Sequence, residues 1–362
     1  MNTIGNSIRL TIFGASHDTC IGCVIDGLPA GLTVNRETIT RDLSLRKPAP
    51  GIGTPRIEAD VPEIVGLLDG KTTGAPLVIR IENANINDSD YDELRRIPRP
   101  GHADFPAYAK YGVNHDIRGG GMFSGRMTTV LVAAGAILRD FLSEYGISVG
   151  SYTKSIGSVK DDASYSADEI MQVSPSNPLR AMTSEMEDAM REEILAAKAD
   201  GDSVGGVIRC VAKGLPAGLG EPFFDTLDGE IAKAVFAVPG VKGVEFGAGF
   251  DAALLRGSEN NDSYRIKDGV VSTKTNNAGG VLGGMSNGAA LDFSVAFKPT
   301  PSISKSQNSV DLFDGKDAEL SVRGRHDPCI APRGAVVIEA MTIFVIADLL
   351  IRGGFVCRNY MS

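Results

Sequence analysis

Gly27-Leu-Pro-Ala-Gly-Leu32 recurs letter for letter as Gly214-Leu-Pro-Ala-Gly-Leu219. The first copy follows the apolar run Ile21-Gly-Cys-Val-Ile-Asp26, and the second follows Val204-Gly-Gly-Val-Ile-Arg-Cys-Val-Ala-Lys213. Each copy precedes a helix-like segment, residues 36–45 and 225–238. Two matching strand–turn–helix units predict an internal pseudo-duplication, and two copies are too few for a solenoid.

Outward from these turns, β-rich runs predict strands at residues 8–13, 76–82, 147–152, 204–212, 244–250 and 293–297. Lys267-Asp-Gly269 reads as a hairpin turn. Helical patterning covers residues 128–145, 184–198, 225–238 and 335–351. Residues 128–138 are apolar nearly all round, which predicts a buried helix, and Gly146 is placed to cap its end. Strands and helices do not alternate as a doubly wound sheet requires. The expected class is therefore α+β, with sheets packed on a central helical layer, in one domain over residues 1–362.

Glycine is overused, 43 of 362 residues, and it falls mostly in loops. With 43% hydrophobic and 22% charged residues, the chain has material for a core and is not a disordered protein. The net charge of −9 and the lack of a basic stripe argue against nucleic acid. An anionic small substrate stays possible, because a local arginine cluster sets its own field. Five cysteines, odd in number and sparse, argue against a disulfide framework. Cys20-Ile-Gly-Cys23 has only His17 as a further ligand nearby, so buried strand positions are expected and no metal. Met1-Asn-Thr-Ile-Gly5 opens without a signal-peptide pattern, and residues 335–351 carry Glu339 and Asp348. These features predict a buried helix, no membrane span and a cytoplasmic location.

Arg118-Gly-Gly-Gly-Met-Phe-Ser-Gly-Arg126 places bare backbone before a buried helix and brackets it with arginines, a pattern suited to binding an anion. Asn276-Asn-Ala-Gly-Gly-Val-Leu-Gly-Gly-Met-Ser-Asn-Gly288 allows two readings, close backbone approach to a flat ligand or a surface loop. The histidines are His17, His102, His115 and His326, and Arg325-His-Asp327 places a carboxylate beside an arginine, where it can serve as a base. No zinc-protease motif or dinucleotide fingerprint is present.

Taken in order, several motifs resemble the chorismate synthase family: Phe13-Gly-Ala-Ser-His17, Arg99-Pro-Gly-His-Ala-Asp104, Arg118-Gly-Gly-Gly121 with Ser124-Gly-Arg126, Gly201-Asp-Ser203, Val241-Lys-Gly-Val-Glu245, Lys298-Pro-Thr300 and Gly324-Arg-His-Asp-Pro-Cys329. The resemblance spans nearly the whole chain. It implies a β-α-β sandwich, and a lyase converting 5-enolpyruvylshikimate 3-phosphate to chorismate and phosphate by anti-1,4-elimination. It also implies reduced FMN as cofactor and a homotetramer. Carried over by motif, His17, His102 and Asp327 would be catalytic. His17 would protonate near the leaving phosphate, His102 would protonate or stabilise the flavin, and Asp327 would help remove the ring proton. Arg46, Lys47, Ser124, Arg126 and Arg325 would bind substrate. Met122, Phe123, Ser124, Pro239, Gly240, Gly283, Lys298, Pro299, Thr300, Pro301, Ser302 and Arg325 would line the flavin.

The chain departs from the family pattern at Ala15, Asp18, Met122 and Phe123, and a further arginine common after Arg46 is not evident in residues 48–54. These departures motivate an alternative, a catalytically weak flavin-binding paralogue. A third reading, a bifunctional form that reduces its flavin with NADPH, finds no added dinucleotide domain to support it.

Overall fold

The computed structural model describes residues 1–53, 58–84, 92–322 and 326–357. Its two halves share a common series of elements, to which the second adds insertions such as the helix Ser184–Ala199. In the first, β1 (Arg9–Gly14) and β2 (Cys20–Asp26) lead to α1 (Arg36–Leu45) and β3 (Pro62–Val65). A small hairpin follows, β4 (Leu67–Leu68) and β5 (Lys71–Thr72), then β6 (Leu77–Glu82) and the long α2 (Thr128–Glu144). In the second, β7 (Ser148–Ile156) and β8 (Gly206–Lys213) lead to α3 (Leu227–Phe236) and β9 (Val241–Phe246). A matching hairpin follows, β10 (Val281–Leu282) and β11 (Met285–Ser286), then β12 (Leu291–Phe297) and α4 (Ala331–Arg352).

Strand order repeats too. The first sheet pairs β1-β2-β6-β3 and the second β7-β8-β12-β9, antiparallel throughout, each with one short edge strand beyond its first member. The expected duplication extends well past the repeated hexapeptide.

Each hexapeptide turn is closed the same way. Thr72 Oγ1 donates to the Pro29 carbonyl at 2.5 Å and accepts from Leu32 N at 3.0 Å. Ser286 Oγ donates to the Pro216 carbonyl at 2.5 Å and accepts from Leu219 N at 2.9 Å. Backbone bonds flank both clamps: Gly31 N to Thr72 O and Gly218 N to Ser286 O, each 2.8 Å. The hairpins behind them turn through Asp69–Gly70 and Gly283–Gly284, all at positive φ, as two-residue turns of the tightest type require. The glycine-dense stretch around Gly283 is thus the counterpart of a structural clamp, which neither sequence reading anticipated.

The fold is α+β. α2 and α4 lie between the sheets, with α1 against α2 and α3 against α4, in one hydrophobic core drawn from both halves. α4 is long and apolar enough to cross a membrane by length and composition, yet residues 331–351 are buried apart from Arg333. Its charges have partners inside the protein. Glu339 accepts from Arg139 Nη2 at 2.7 Å, from Ser151 Oγ at 2.7 Å and from Arg180 Nη2. Asp348 accepts from the backbone N of Ser7 and Ile8 at 2.6 and 2.7 Å. Buried charges are tolerated only when satisfied in this way.

Most elements fall where the patterning places them. One shifts: the strand expected at 244–250 is Val241–Phe246, and residues Gly249–Leu254 form a 3-10 turn. Gly247 and Gly249, at φ +56 and +55, end the extended run. Lys267-Asp-Gly269 is the turn of a hairpin, Tyr264–Lys267 with Val270–Thr273. Cys23 is buried on β2 with its thiol pushed up to about 12 by burial, so it is chemically quiet.

Candidate active site

One rim of the sandwich gathers the reactive side chains. Register places Cys20 opposite Glu82 and Gly206 opposite Phe297, so β2 and β8 begin where β6 and β12 end. α2 and α4 both start at this rim. Arg46, the C-cap of α1, touches both starts: Nη1 donates to Gly125 O at 3.5 Å, and its carbonyl accepts from Arg333 Nε at 3.0 Å. Two helix N-termini and several guanidiniums therefore converge, which favours a bound anion. The acidic net charge of the chain is overridden locally.

His17 lies three residues before β2 and is 4% exposed. His102 sits in the connection from β6 to α2. Gly119, Gly120 and Gly121, all at positive φ, run between the two imidazoles. A β-carbon on Gly119 would stand 2.6 Å from His17 Nε2, and one on Gly120 would stand 3.6 Å from His102 Nε2. Ser16 N donates to Gly121 O at 3.2 Å, tying the His17 loop to the glycine turn.

His102 is fixed by a carboxylate. Asp104 Oδ1 is 2.5 Å from His102 Nδ1, while Arg99 reaches Asp104 through Nε at 2.7 Å and Nη2 at 2.9 Å. Burial alone would raise the Asp104 carboxyl, but hydrogen bonds from Arg99 and His102 hold it well below the usual carboxylate range. An ionised Asp104 only accepts, so Nδ1 carries the proton and Nε2 faces the glycine run as an acceptor. Burial lowers the pKa of His102, Asp104 opposes that shift, and the Arg99 charge adds to it.

The arginines make a second cluster. Arg126 donates through Nε to Asn83 Oδ1 at 3.0 Å and through Nη2 to the Glu82 carbonyl at 3.3 Å. Asp60 pairs with both Arg126 and Arg46. Burial first, then the Arg333 charge, pushes Arg46 down to about 10. Asp327 pairs with Arg333 Nη1, and its Oδ1 lies 3.0 Å from where a Gly53 β-carbon would be.

The segment after β12 closes the rim. Lys298 Nζ donates to Gly101 O at 2.7 Å, and Ser302 Oγ accepts from Arg99 Nη1 at 3.2 Å. Lys298 N donates to Gly240 O at 2.9 Å, which seats Pro239 and Gly240 beside it. Thr300 Oγ1 is buried with no partner among the described residues.

A family model described as chorismate synthase matches residues 8–351. The chain belongs to the chorismate synthase family. A chorismate synthase of Dehalococcoides mccartyi is 48% identical, covering 99% of this chain and 98% of that one. One from Archaeoglobus fulgidus is 46% identical over 100% of both. A crystal structure of chorismate synthase superposes with a TM-score of 0.77 at 30% identity, covering 97% of this chain and 93% of that one. Members of the chorismate synthase family are lyases of the shikimate pathway, and the chain is an enzyme of that class.

Of the residues singled out in the sequence, the structure brings together His17, His102, Ser124, Arg126, Arg46, Asp327, Gly240 and the stretch Lys298, Pro299, Thr300, Pro301 and Ser302. Ser124 caps the turn before α2, accepting from Arg126 N at 3.3 Å. Met122 and Phe123 are over a third exposed beside it. Lys47 is exposed next to Arg46. Arg325 lies outside the described residues. Gly283 is not brought in: its hairpin closes on the start of β12, and Lys298 follows the far end, about 20 Å away at ~3.3 Å per residue. Sequence reasoning missed Asp60, Asn83, Asp104 as a partner for His102, and Arg333. Only Asp104 left a signal, two residues after a histidine within a dense polar motif.

Proposed function

We propose that the enzyme converts 5-enolpyruvylshikimate 3-phosphate to chorismate and phosphate by anti-1,4-elimination with reduced FMN. The observation that carries this reading is the glycine run seated between the buried His17 imidazole and the partly buried His102 imidazole, at the convergence of two helix N-termini. Arg46 and Arg126 bind the phosphate, with Ser124, Lys47 and Arg325 as further substrate contacts. His17 delivers a proton to the departing phosphate. Asp327 takes the ring proton, and Arg333 orients its carboxylate.

The residues fit a flavin. Lys298, Thr300 and Ser302 offer polar groups against the His102 loop, and the Thr300 hydroxyl has no partner among the described residues. Pro239, Gly240, Pro299, Pro301, Met122 and Phe123 supply apolar and backbone surface around it. Reduced FMN supplies electron density to the ring transiently and takes it back. His102, with its tautomer held by Asp104, exchanges a proton at Nε2 on the cofactor side.

A cytoplasmic homotetramer completes the reading. Phe223 and Phe224, 91% and 94% exposed, sit on the rim that carries Gly283, a surface suited to a second copy. Gly283 reaches a flavin only across such a contact.

The test is an anaerobic assay of the purified protein with reduced FMN and the enolpyruvyl substrate, reading chorismate and phosphate. Release of both supports the elimination. Folded, flavin-bound protein that turns nothing over sinks it and leaves the weak paralogue. FMN-dependent oxidation of added NADPH reads out the bifunctional form.

A further inference from the structure

Asp60 is 8% exposed and stands between the two arginines of the anion cluster. Oδ2 accepts from Arg46 Nη2 at 3.3 Å, and Oδ1 accepts from Arg126 Nη1. Each carboxylate oxygen thus holds one guanidinium, the arrangement a phosphate adopts between two arginines. The backbone of Asp60 is left-handed at φ +50, a conformation uncommon outside glycine, and it aims the side chain at both partners. Burial would raise this carboxyl, yet bonding to Arg126 and the charge of Arg46 hold it below the usual range. Arg46 Nε, also buried, has no partner among the described residues. Among the described residues the pair is therefore bonded to a single carboxylate, with one cation in excess and one donor unmet.

We propose that Asp60 is a resident counter-anion of Arg46 and Arg126, holding both guanidiniums in position in the empty site and yielding them to an incoming dianion. Specificity follows from charge. A monoanion that displaces Asp60 replaces one negative charge with another and gains little. A phosphate dianion neutralises both arginines and can also meet Arg46 Nε. Asp60 is then a positioning residue that sets a preference for phosphate monoesters over carboxylates at this subsite. The proposal takes from the preceding reading only that these two arginines bind an anion, and it does not require elimination to occur.

The experiment titrates inorganic phosphate, and separately acetate, into the full-length protein at constant ionic strength and about pH 8, where phosphate carries close to two charges. Wild type is compared with Asp60→Asn by calorimetry. Removing a competing carboxylate should tighten phosphate about 5- to 100-fold and narrow the preference for phosphate over acetate. A purely structural Asp60 predicts the opposite sign, so a folded Asp60→Asn protein that binds phosphate equally or more weakly overturns the proposal. If that variant does not fold in chloride, phosphate should restore its melting transition, because a ligand that binds only the native state stabilises it. A variant that stays unfolded in phosphate overturns the proposal as well. The elimination assay on the same wild-type preparation reads the proposed function separately.

Discussion

Gly119 lies against the His17 imidazole so closely that a β-carbon on it would stand 2.4 Å from Cδ2. Its φ of +59 excludes a relaxed side chain there as well. Gly119→Ala should therefore cost about 1–3 kcal/mol of stability. It should also lower turnover about 10²-fold, because the ring of His17 must move by close to an ångström. Gly120→Ala, with 3.6 Å to His102 Nε2, should leave His17 in place and lose less activity. Turnover and melting temperature of the two variants check this, and equal losses would show that the His17 contact is not the limiting one.

Asp104 fixes which nitrogen of His102 carries the proton. Asp104→Asn keeps the shape but offers either a carbonyl or an amide to Nδ1, so the tautomer is no longer dictated. Turnover should fall about 10²-fold, within the usual range for positioned proton transfer. Nitrogen NMR of the labelled imidazole should show the proton shared between Nδ1 and Nε2 in the variant and held on Nδ1 in the wild type. A wild-type ring protonated on Nε2 instead would contradict the assignment.

The lowered pKa of His102 has a thermodynamic sign. Burial, its largest cause, disfavours the charged ring in the folded state. Above the unfolded value of about 6.5 both states are neutral and no stability is lost. As pH falls below about 6.5 the unfolded chain takes up the proton first, so stability drops toward the folded pKa, by at most ~1.4 kcal/mol per pH unit. Urea midpoints should fall between about pH 7 and 5 in the wild type, and the fall should be shallower in His102→Gln. Identical slopes would remove His102 from the account.

The two hydroxyl clamps should behave as equivalents. Thr72→Val and Ser286→Ala each leave a turn carbonyl and a turn N–H without their shared partner, and each should cost about 1–3 kcal/mol. Lying on different halves, the two costs should add within ~0.5 kcal/mol. Chemical denaturation of the single and double variants measures this. A clamp that can be removed without cost would show that the hairpin, not the hydroxyl, closes the turn.

The duplication was legible because a turn is local: Gly-Leu-Pro-Ala-Gly-Leu dictates its own backbone, and identical letters give identical bends. The closing hydroxyls were harder to read: Thr72 and Ser286 stand at matching places in Gly70-Lys-Thr-Thr-Gly74 and Gly284-Met-Ser-Asn-Gly288, but they meet their turns only through the hairpins. The buried helices announced themselves by composition, whereas the partners of Glu339 and Asp348 come from distant segments. At the site, the glycine run and the histidines stood out as residue types. Asp60 and Arg333 did not, because a carboxylate or guanidinium shows its role only through what faces it. The stretch around Gly283 has the composition of a ligand loop and the structure of a clamp; glycine content reports positive φ without saying what the bend serves.

The two rims of the sandwich carry different burdens. At one, paired clamps bind turn, hairpin and helix start into a closed hydrogen-bonded knot with no slack in chain length. At the other, the connections from β6 to α2 and from β12 to α4 differ in length and hold much of the reactive cluster, while His17 and Asp60 come from the shorter connections before β2 and β3. New chemistry could be written into those two connections without disturbing the core, while insertions at the clamped rim would unfasten it. The molecule thus separates the part that must stay fixed from the part that can be revised.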